Sequence, residues 1–569
     1  MTEKKAEAPV QEPAPAPEAA GKIWKLQGKV PALADYLVFF GIFLLAQVVG
    51  AVTALLVGCK WSVGRAAVVS VAVDAVIALS AFGAHPLQIL VSAAKGAWSS
   101  LSIILIICPA ILMYNIVREA GAFRVIRAGI QQATPNKLLQ ILIIGYTFSA
   151  FLQGITGFGV PVAICAPLLI EIGVSPLWAL AIAPLGEAWG NTFGTLSAAW
   201  DALAAQAGLN EAMPLYWQSA LWTAALLFAM NLVSGSLVCW FYGRGAALRR
   251  GLPAVLVLSL VQGGGELLMS QVNTTLCCFI PCCLALVVSL LLGRLPLYNT
   301  PWELENSRAM EPSRGTLLSE QAPQGMGILH AFSPYLVMTA FSLVCLLIPS
   351  VKRALAGVSV SLHIPAVVSG GTAITEEVSG FSPLSLTNAG VFLFLAAGFG
   401  FFYFRRRGWL TAGSGQQILR DSLKKAWPSS VSVMVFLVLA NIMSGTGQTA
   451  ALAGGFSAVF GPYYAALAAL VGMLGSFITG SNMSSNILFG SFQMTTAELV
   501  GLQPAPILAA QTVGGSAGSL ISPSKIVLGA TTAGHPEMVG AIIRKLLPVA
   551  LLFSLTSGAV VLLSGLILG

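Results

Sequence analysis

Long runs of apolar residues, parted by short polar breaks, recur along the whole chain. The main runs fall at 32–58, 66–82, 97–117, 138–152, 176–199, 216–242, 272–293, 331–349, 386–404, 428–443, 460–479, 504–530 and 546–568. A helix of about 20 apolar residues spans the hydrocarbon core of a bilayer. The runs therefore predict roughly 12 to 14 transmembrane segments, some short enough to be half-helices. The alternating pattern of a membrane β-barrel is absent. The fold class expected is an all-α polytopic membrane protein.

Two segments break this pattern in related ways. "FLQGITGFGVPVAICAPLL" at 151–169 and "FITGSNMSSNILFG" at 477–490 interrupt apolar sequence with poor helix formers. Irregular backbone at membrane depth is tolerated only where protein buries it or where it lines a wet cavity. Both segments are predicted to break near mid-membrane and to face each other.

The surroundings repeat as well. "FLQG" at 151–154 matches "FITG" at 477–480, and Gly173-x-x-Pro176 matches Gly501-x-x-Pro504. From each proline the next glycines keep the same offsets, Gly186 and Gly190 in one half, Gly514 and Gly518 in the other. Gly/Pro-interrupted segments at corresponding positions of two halves point to a transporter binding site between inverted repeats with re-entrant or broken helices. The expected organisation is a disordered cytoplasmic tail at 1–30, a first transmembrane repeat at 31–293, a loop at 294–330 and a second repeat at 331–569.

Composition supports the membrane assignment. Of 569 residues, 56% are apolar and 9% charged, against about 25% charged in soluble domains. The net charge of +8 suits loop Lys and Arg beside anionic lipid head groups. It gives no reason to invoke nucleic acid. Lys22, Lys25 and Lys29 abut the first apolar run and argue for a cytoplasmic N-terminus. The chain is expected to cross its membrane many times.

Candidate chemistry is sparse and polar. His85, His330, His363 and His535 form no HExxH and no close pair, and no GxSxG elbow or P-loop is present. "CCFIPCC" at 277–283 reads as small apolar filler in a helix, since adjacent cysteines splay around it and no histidine is near. No enzyme, metal or cofactor is expected beyond a coupling ion, H⁺ or Na⁺. Half-helix N-termini bind anions. The candidates for binding one are Ser481, Asn482, Ser484, Ser485 and Asn486 from one break, with Gln153, Thr156, Gly157 and Gly159 from the other. Lys525 lies three residues after Ser522 inside an apolar run. Ionisable residues at such depth are functional candidates with a partner to be named. The partners open to it are the substrate carboxylate, a carbonyl-lined crevice with water, or Glu187 in the equivalent region of the other half with Asn191. Glu187 is favoured in the empty state, and Asp74 is a further candidate for ion coupling. Asp201 and Glu266 lie nearer to polar stretches.

At these polar breaks the chain resembles the bacterial L-lactate permease family. The blocks that carry the resemblance are "GFGVPVAICAPLLIEIG", "GSNMSSNILFGSFQMTTAELVGLQP" and "AAQTVGGSAGSLISPSKI", with "ILMYNIVREAGAF", "FSPYL" and "NIMSGTG" in support. The resemblance spans roughly residues 32 to 568 and implies uptake of lactate or glycolate with protons across the bacterial cytoplasmic membrane. The sequence departs from that family in telling places. FLEG becomes "FLQG" and GSDTSSN becomes "GSNMSSN", so two carboxylates become the amides Gln153 and Asn482. GKMISPQ becomes "GSLISPSK", so a lysine position becomes Ser519 while Lys525 appears further on, and Glu187 stands where the family usually has asparagine.

An amide cannot exchange a proton at physiological pH, so either the relay has moved, with Glu187 as its new site, or the protein uses Na⁺, exchange or uniport. The function expected is a secondary active transporter taking up a small organic monocarboxylate such as L-lactate or glycolate. The alternative is an uncoupled uniporter, channel or exchanger for another small organic anion. Nothing in the sequence sets an oligomeric state.

Overall fold

The computed structural model describes residues 63–568 apart from 158, 305–306, 312–322, 370–371, 376 and 412. The expected tail and the first apolar run, 32–58, lie outside the described residues. Within them, eight helices are long and apolar enough to cross a membrane.

The first half contains α1 (Val63–Ser80), α2 (Pro86–Glu119), α3 (Ala122–Ala133), α4 (Lys137–Ile155), α5 (Val160–Glu171), α6 (Pro176–Ala188), α7 (Gly194–Gln206) and α8 (Pro214–Met269). A π-helical stretch, Ile143–Phe148, lies within α4, and α8 is kinked at Gly243–Arg244. Then come α9 (Phe279–Leu292), α10 (Ile328–Leu347) and α11 (Pro349–Gly357).

Four short strands follow: β1 (Ser359–Ile364), β2 (Val367–Ser369), β3 (Thr372–Thr375) and β4 (Val378–Ser385). β1 pairs antiparallel with β4, and β2 with β3. This small addition was not expected, although Ser359-Val360-Ser361-Leu362-His363-Ile364 does alternate as a strand does.

The second half contains α12 (Ala389–Arg406), α13 (Ser414–Gly445), α14 (Gln448–Phe460), α15 (Tyr464–Thr479), α16 (Asn482–Val500), α17 (Pro504–Ser519), α18 (Pro523–Thr532) and α19 (Val539–Leu568). The expected runs 176–199 and 504–530 each fall in two pieces, α6–α7 and α17–α18.

The two sets of helices correspond in order, and they pack by exchange. α1 packs on α13, as α12 packs on α2. In the same way α5 packs on α18 and α16 on α7, while α6 packs on α19 and α17 on α8. α2 and α13, which correspond to each other, pack together. Contacts that swap in this manner are what a two-fold relation produces.

The glycine match has a physical cause. A Cβ on Gly186 would overlap the carbonyl oxygen of Gly145, and one on Gly514 would overlap that of Ala469. Each glycine lets α6 or α17 lie directly on the backbone of α4 or α15. The correspondence also reaches further than the blocks first noticed. The same 33 residues separate Gly121 from Gly154 and Gly447 from Gly480.

Described residues of the stretch 294–330 lie along the first half. Tyr298 is buried, its hydroxyl donating to the Arg250 carbonyl at 2.9 Å, and the Trp302 carbonyl accepts from Lys137 N at 3.1 Å.

Candidate functional site

Four breaks in helix gather around one cavity of about 830 Å³, although the expected Thr156, Gly157 and Gly159 of the first break do not themselves line it. The first separates α4 from α5 and contains Gly157 (φ 50°) and Gly159 (φ 79°). The second, Gly480–Ser481, separates α15 from α16, with Gly480 at φ 88°. The others follow α6 and α17. Both predicted breaks therefore exist, and both press on the start of α18. A Cβ on Gly159 would lie 3.4 Å from Lys525 Cγ, and one on Gly480 would overlap Ser524 Oγ.

The N-terminus of α16 opens on the cavity. Ser481 is its extended cap residue, and the first helical bond runs from Ser485 N to Ser481 O at 3.1 Å. The N–H groups of Asn482, Met483 and Ser484 come before that bond, where a helix has no partners of its own to offer. All three residues line the cavity, so the positive end of the helix dipole is directed there. The Ser481 side chain makes no cap bond to its own helix.

Lys525 stands in the opposite wall. Its Nζ lies 2.5 Å from Glu187 Oε1 and 3.4 Å from both Asn191 Oδ1 and Ser519 Oγ. The lysine side chain is 7% exposed and the glutamate 0%. Either charge alone would be very costly at that burial, and pairing is what makes both tolerable. Asn191 Nδ2 also donates to Ser519 Oγ at 2.7 Å. These two residues follow the matched glycines Gly190 and Gly518 directly, so corresponding positions of the two halves touch beside the lysine.

Among the expected site residues, Gln153, Asn191, Ser481, Asn482, Ser484 and Lys525 line the cavity. Glu187 stands behind Lys525. Asn482 turns its amide hydrogens toward the hydroxyls of Thr192, Thr512 and Ser516, at 3.1–3.2 Å. Ser485 and Asn486 were expected to face a ligand and do not line the cavity. Ser485 donates to the Gly472 carbonyl at 2.8 Å, and Asn486 to the Ala199 carbonyl at 2.9 Å. The cavity meets only the cap and first three residues of the helix, 481–484, and Ser485 and Asn486 lie deeper along its axis, where neighbouring helices surround them.

Thr156 bonds back to Leu152 O at 2.9 Å within its own helix. Ser522 is the cap residue of α18, with its hydroxyl 3.1 Å from that of Ser524. Asp74 is buried in α1 and is not part of the cavity wall.

Sequence reasoning missed Thr195 and Ser524, which also line the cavity, and singled out Ser519 only as a departure from the family pattern. Thr195 belongs to an unusual turn. Thr195, Leu196 and Ser197 all have left-handed backbone, with φ of 50°, 51° and 67°. Each such non-glycine residue costs about 1–2 kcal/mol, so surrounding contacts must hold the turn. Leu196 is fully buried, the Ser197 hydroxyl donates to the Thr274 carbonyl, and Trp200 N reaches back to Thr192 O at 3.1 Å. The Thr195 hydroxyl occupies the notch that a Cβ on Gly157 would fill.

The sequence profile of the L-lactate permease family matches residues 45–568. The chain belongs to the L-lactate permease family. It is 31% identical over 482 residues to the L-lactate permease of Bacillus subtilis, covering 78% of this chain and 82% of that one. The L-lactate permease of Halalkalibacterium halodurans is 28% identical over 446 residues, 76% of this chain and 78% of its own. The glycolate permease of Escherichia coli K12 is 27% identical over 490 residues, 80% and 83% of the two chains. This permease is thus a multi-pass protein of the inner membrane, with a cavity lined by broken helices of both halves and by apolar side chains of α1 and α13.

Proposed function

We propose that this permease carries a small organic monocarboxylate, such as L-lactate or glycolate, together with a proton, and that the Lys525–Glu187 pair couples the two. The observation that carries the proposal is the 2.5 Å contact between Lys525 Nζ and Glu187 Oε1 in the wall of the cavity. Lys525 is the one charged side chain among the described residues lining it. One cation and one helix N-terminus suit one carboxylate. A second carboxylate on the same ligand would meet no positive charge there.

Before substrate binds, Lys525 and Glu187 neutralise each other. An incoming carboxylate competes for the ammonium and gains the N–H groups of Asn482, Met483 and Ser484 as further donors. Glu187 then loses its cation at a site with no solvent exposure, where its Oε2 has no partner among the described residues. An uncompensated buried carboxylate is far more costly than a neutral acid, so Glu187 takes up a proton. Release of the substrate restores the ion pair and expels the proton. Net charge in the cavity is zero before and after, which fixes one proton per carboxylate. The amides at Gln153 and Asn482 need carry no proton in this scheme.

The test is uptake into proteoliposomes. Glu187→Gln keeps the side-chain shape and should retain substrate exchange while losing accumulation driven by a pH gradient. Undiminished accumulation in that variant would remove Glu187 from the coupling.

A further inference from the structure

We propose that the Thr195 hydroxyl recognises the 2-hydroxyl of the substrate, and so sets the preference for a 2-hydroxy acid over the same acid without its hydroxyl. The inference rests on the function proposed above, in which Lys525 and the start of α16 hold the carboxylate.

Most polar groups of the cavity already have partners; besides Thr195, those left over among the described residues include Gln153 Oε1 and Asn482 Oδ1, which can accept but not donate. Asn191 and Ser519 bond to each other and to Lys525. Both amide hydrogens of Asn482 are directed at threonine and serine hydroxyls. Ser481 and Ser484 stand at the N-terminus of α16, on the carboxylate side. Thr195 lines the cavity at 5% exposure, and its hydroxyl makes no hydrogen bond to any other described residue. It is free to donate and to accept, as recognition of an alcohol requires.

Its position suits the proposed ligand. The Thr195 hydroxyl touches the break at Gly157, and the Lys525 side chain touches the same break at Gly159. Thr195 and Lys525 both line the same cavity, so the hydroxyl and carboxylate contacts proposed here share one space. The backbone adds a second argument. Thr195 opens a run of three left-handed non-glycine residues. Strain of that kind persists at functional sites where neighbours over-determine it. At the corresponding positions of the second half, Pro523, Ser524 and Lys525, no residue has left-handed backbone.

The experiment compares L-lactate with propionate, which has the same carbon skeleton without the hydroxyl, in proteoliposomes holding the full chain. The parent should favour L-lactate in kcat/KM. Thr195→Val keeps the branched shape, removes the hydroxyl, and should reduce the lactate-to-propionate ratio about tenfold, because a site built to bond a hydroxyl discriminates through that bond. Thr195→Ser should restore the ratio. A ratio unmoved in Thr195→Val, or an equal fall for both acids, overturns the inference and leaves the proposed function standing. If Thr195→Val transports neither acid, Thr195→Ala decides by the same ratio. A parent that transports neither acid overturns both proposals.

Discussion

The two halves of the permease share one plan and differ where they meet the cavity. In the second half the break is short. A single left-handed glycine, Gly480, ends α15, and Ser481 starts α16 with its N-terminus directed into the cavity. The first half needs more irregular backbone for the same corner: a π-helical stretch in α4, two left-handed glycines, and the strained turn at Thr195–Ser197. Charge is divided as well. The cation, Lys525, comes from the second half and the carboxylate, Glu187, from the first. Corresponding elements thus keep the same helix packing while one half carries the open helix N-terminus and the cation and the other the carboxylate. Packing constrains the glycines of both halves alike, whereas the cavity constrains each half differently.

The largest effect that would sharpen this contrast is expected from Lys525→Ala. Truncating one member of a buried charge pair costs about 2–5 kcal/mol, so substrate affinity, measured by calorimetry on the purified protein, should fall at least roughly thirtyfold. Retained affinity would move the anion site to the other half. The shared plan is tested next by Gly186→Ala and Gly514→Ala. Each methyl group would overlap a backbone carbonyl that cannot swing aside, so both should lose stability by about 3 kcal/mol or more, read from thermal unfolding in detergent. A large loss in one and none in the other would break the equivalence of the halves. The smallest effects separate neighbours in the second break. Ser484→Ala should weaken substrate binding by about 1.5 kcal/mol, roughly tenfold. Ser485→Ala, which removes a bond to the Gly472 carbonyl, should cost about 1 kcal/mol of stability with affinity unchanged. Equal loss of affinity in the two would mean that Ser485 also reaches the ligand.

The sequence made legible what a single physical demand imposes. Close backbone approach admits only glycine, which is why Gly186 and Gly514 stand out at matched offsets from Pro176 and Pro504. A lysine deep in apolar sequence needs an anion, and the matched region of the other half held Glu187. Which residues occupy the exposed first turn of a helix was harder to read. It depends on the residue at which the helix begins, so Ser484 and Ser485 could not be told apart before α16 was known to start at Asn482. The turn at Thr195–Ser197 left no trace at all. Left-handed backbone announces itself through glycine or asparagine, and here it is imposed on threonine, leucine and serine by contacts from Thr274 and the buried surroundings of Leu196. The strands at 359–385 did carry an alternating signal, hidden beside the far stronger one of the membrane runs.

The neutrality of the Lys525–Glu187 pair has an energetic consequence for the cell. Under the proposed coupling, an anion and a proton cross together and no net charge moves through the membrane. The membrane voltage then neither drives nor opposes uptake, and the pH difference is the whole driving force. Each pH unit supplies about 1.4 kcal/mol, so it sustains at most about a tenfold accumulation of substrate. A cell growing where the outside is as alkaline as its interior would gain no concentrating power from this permease, however large its membrane potential.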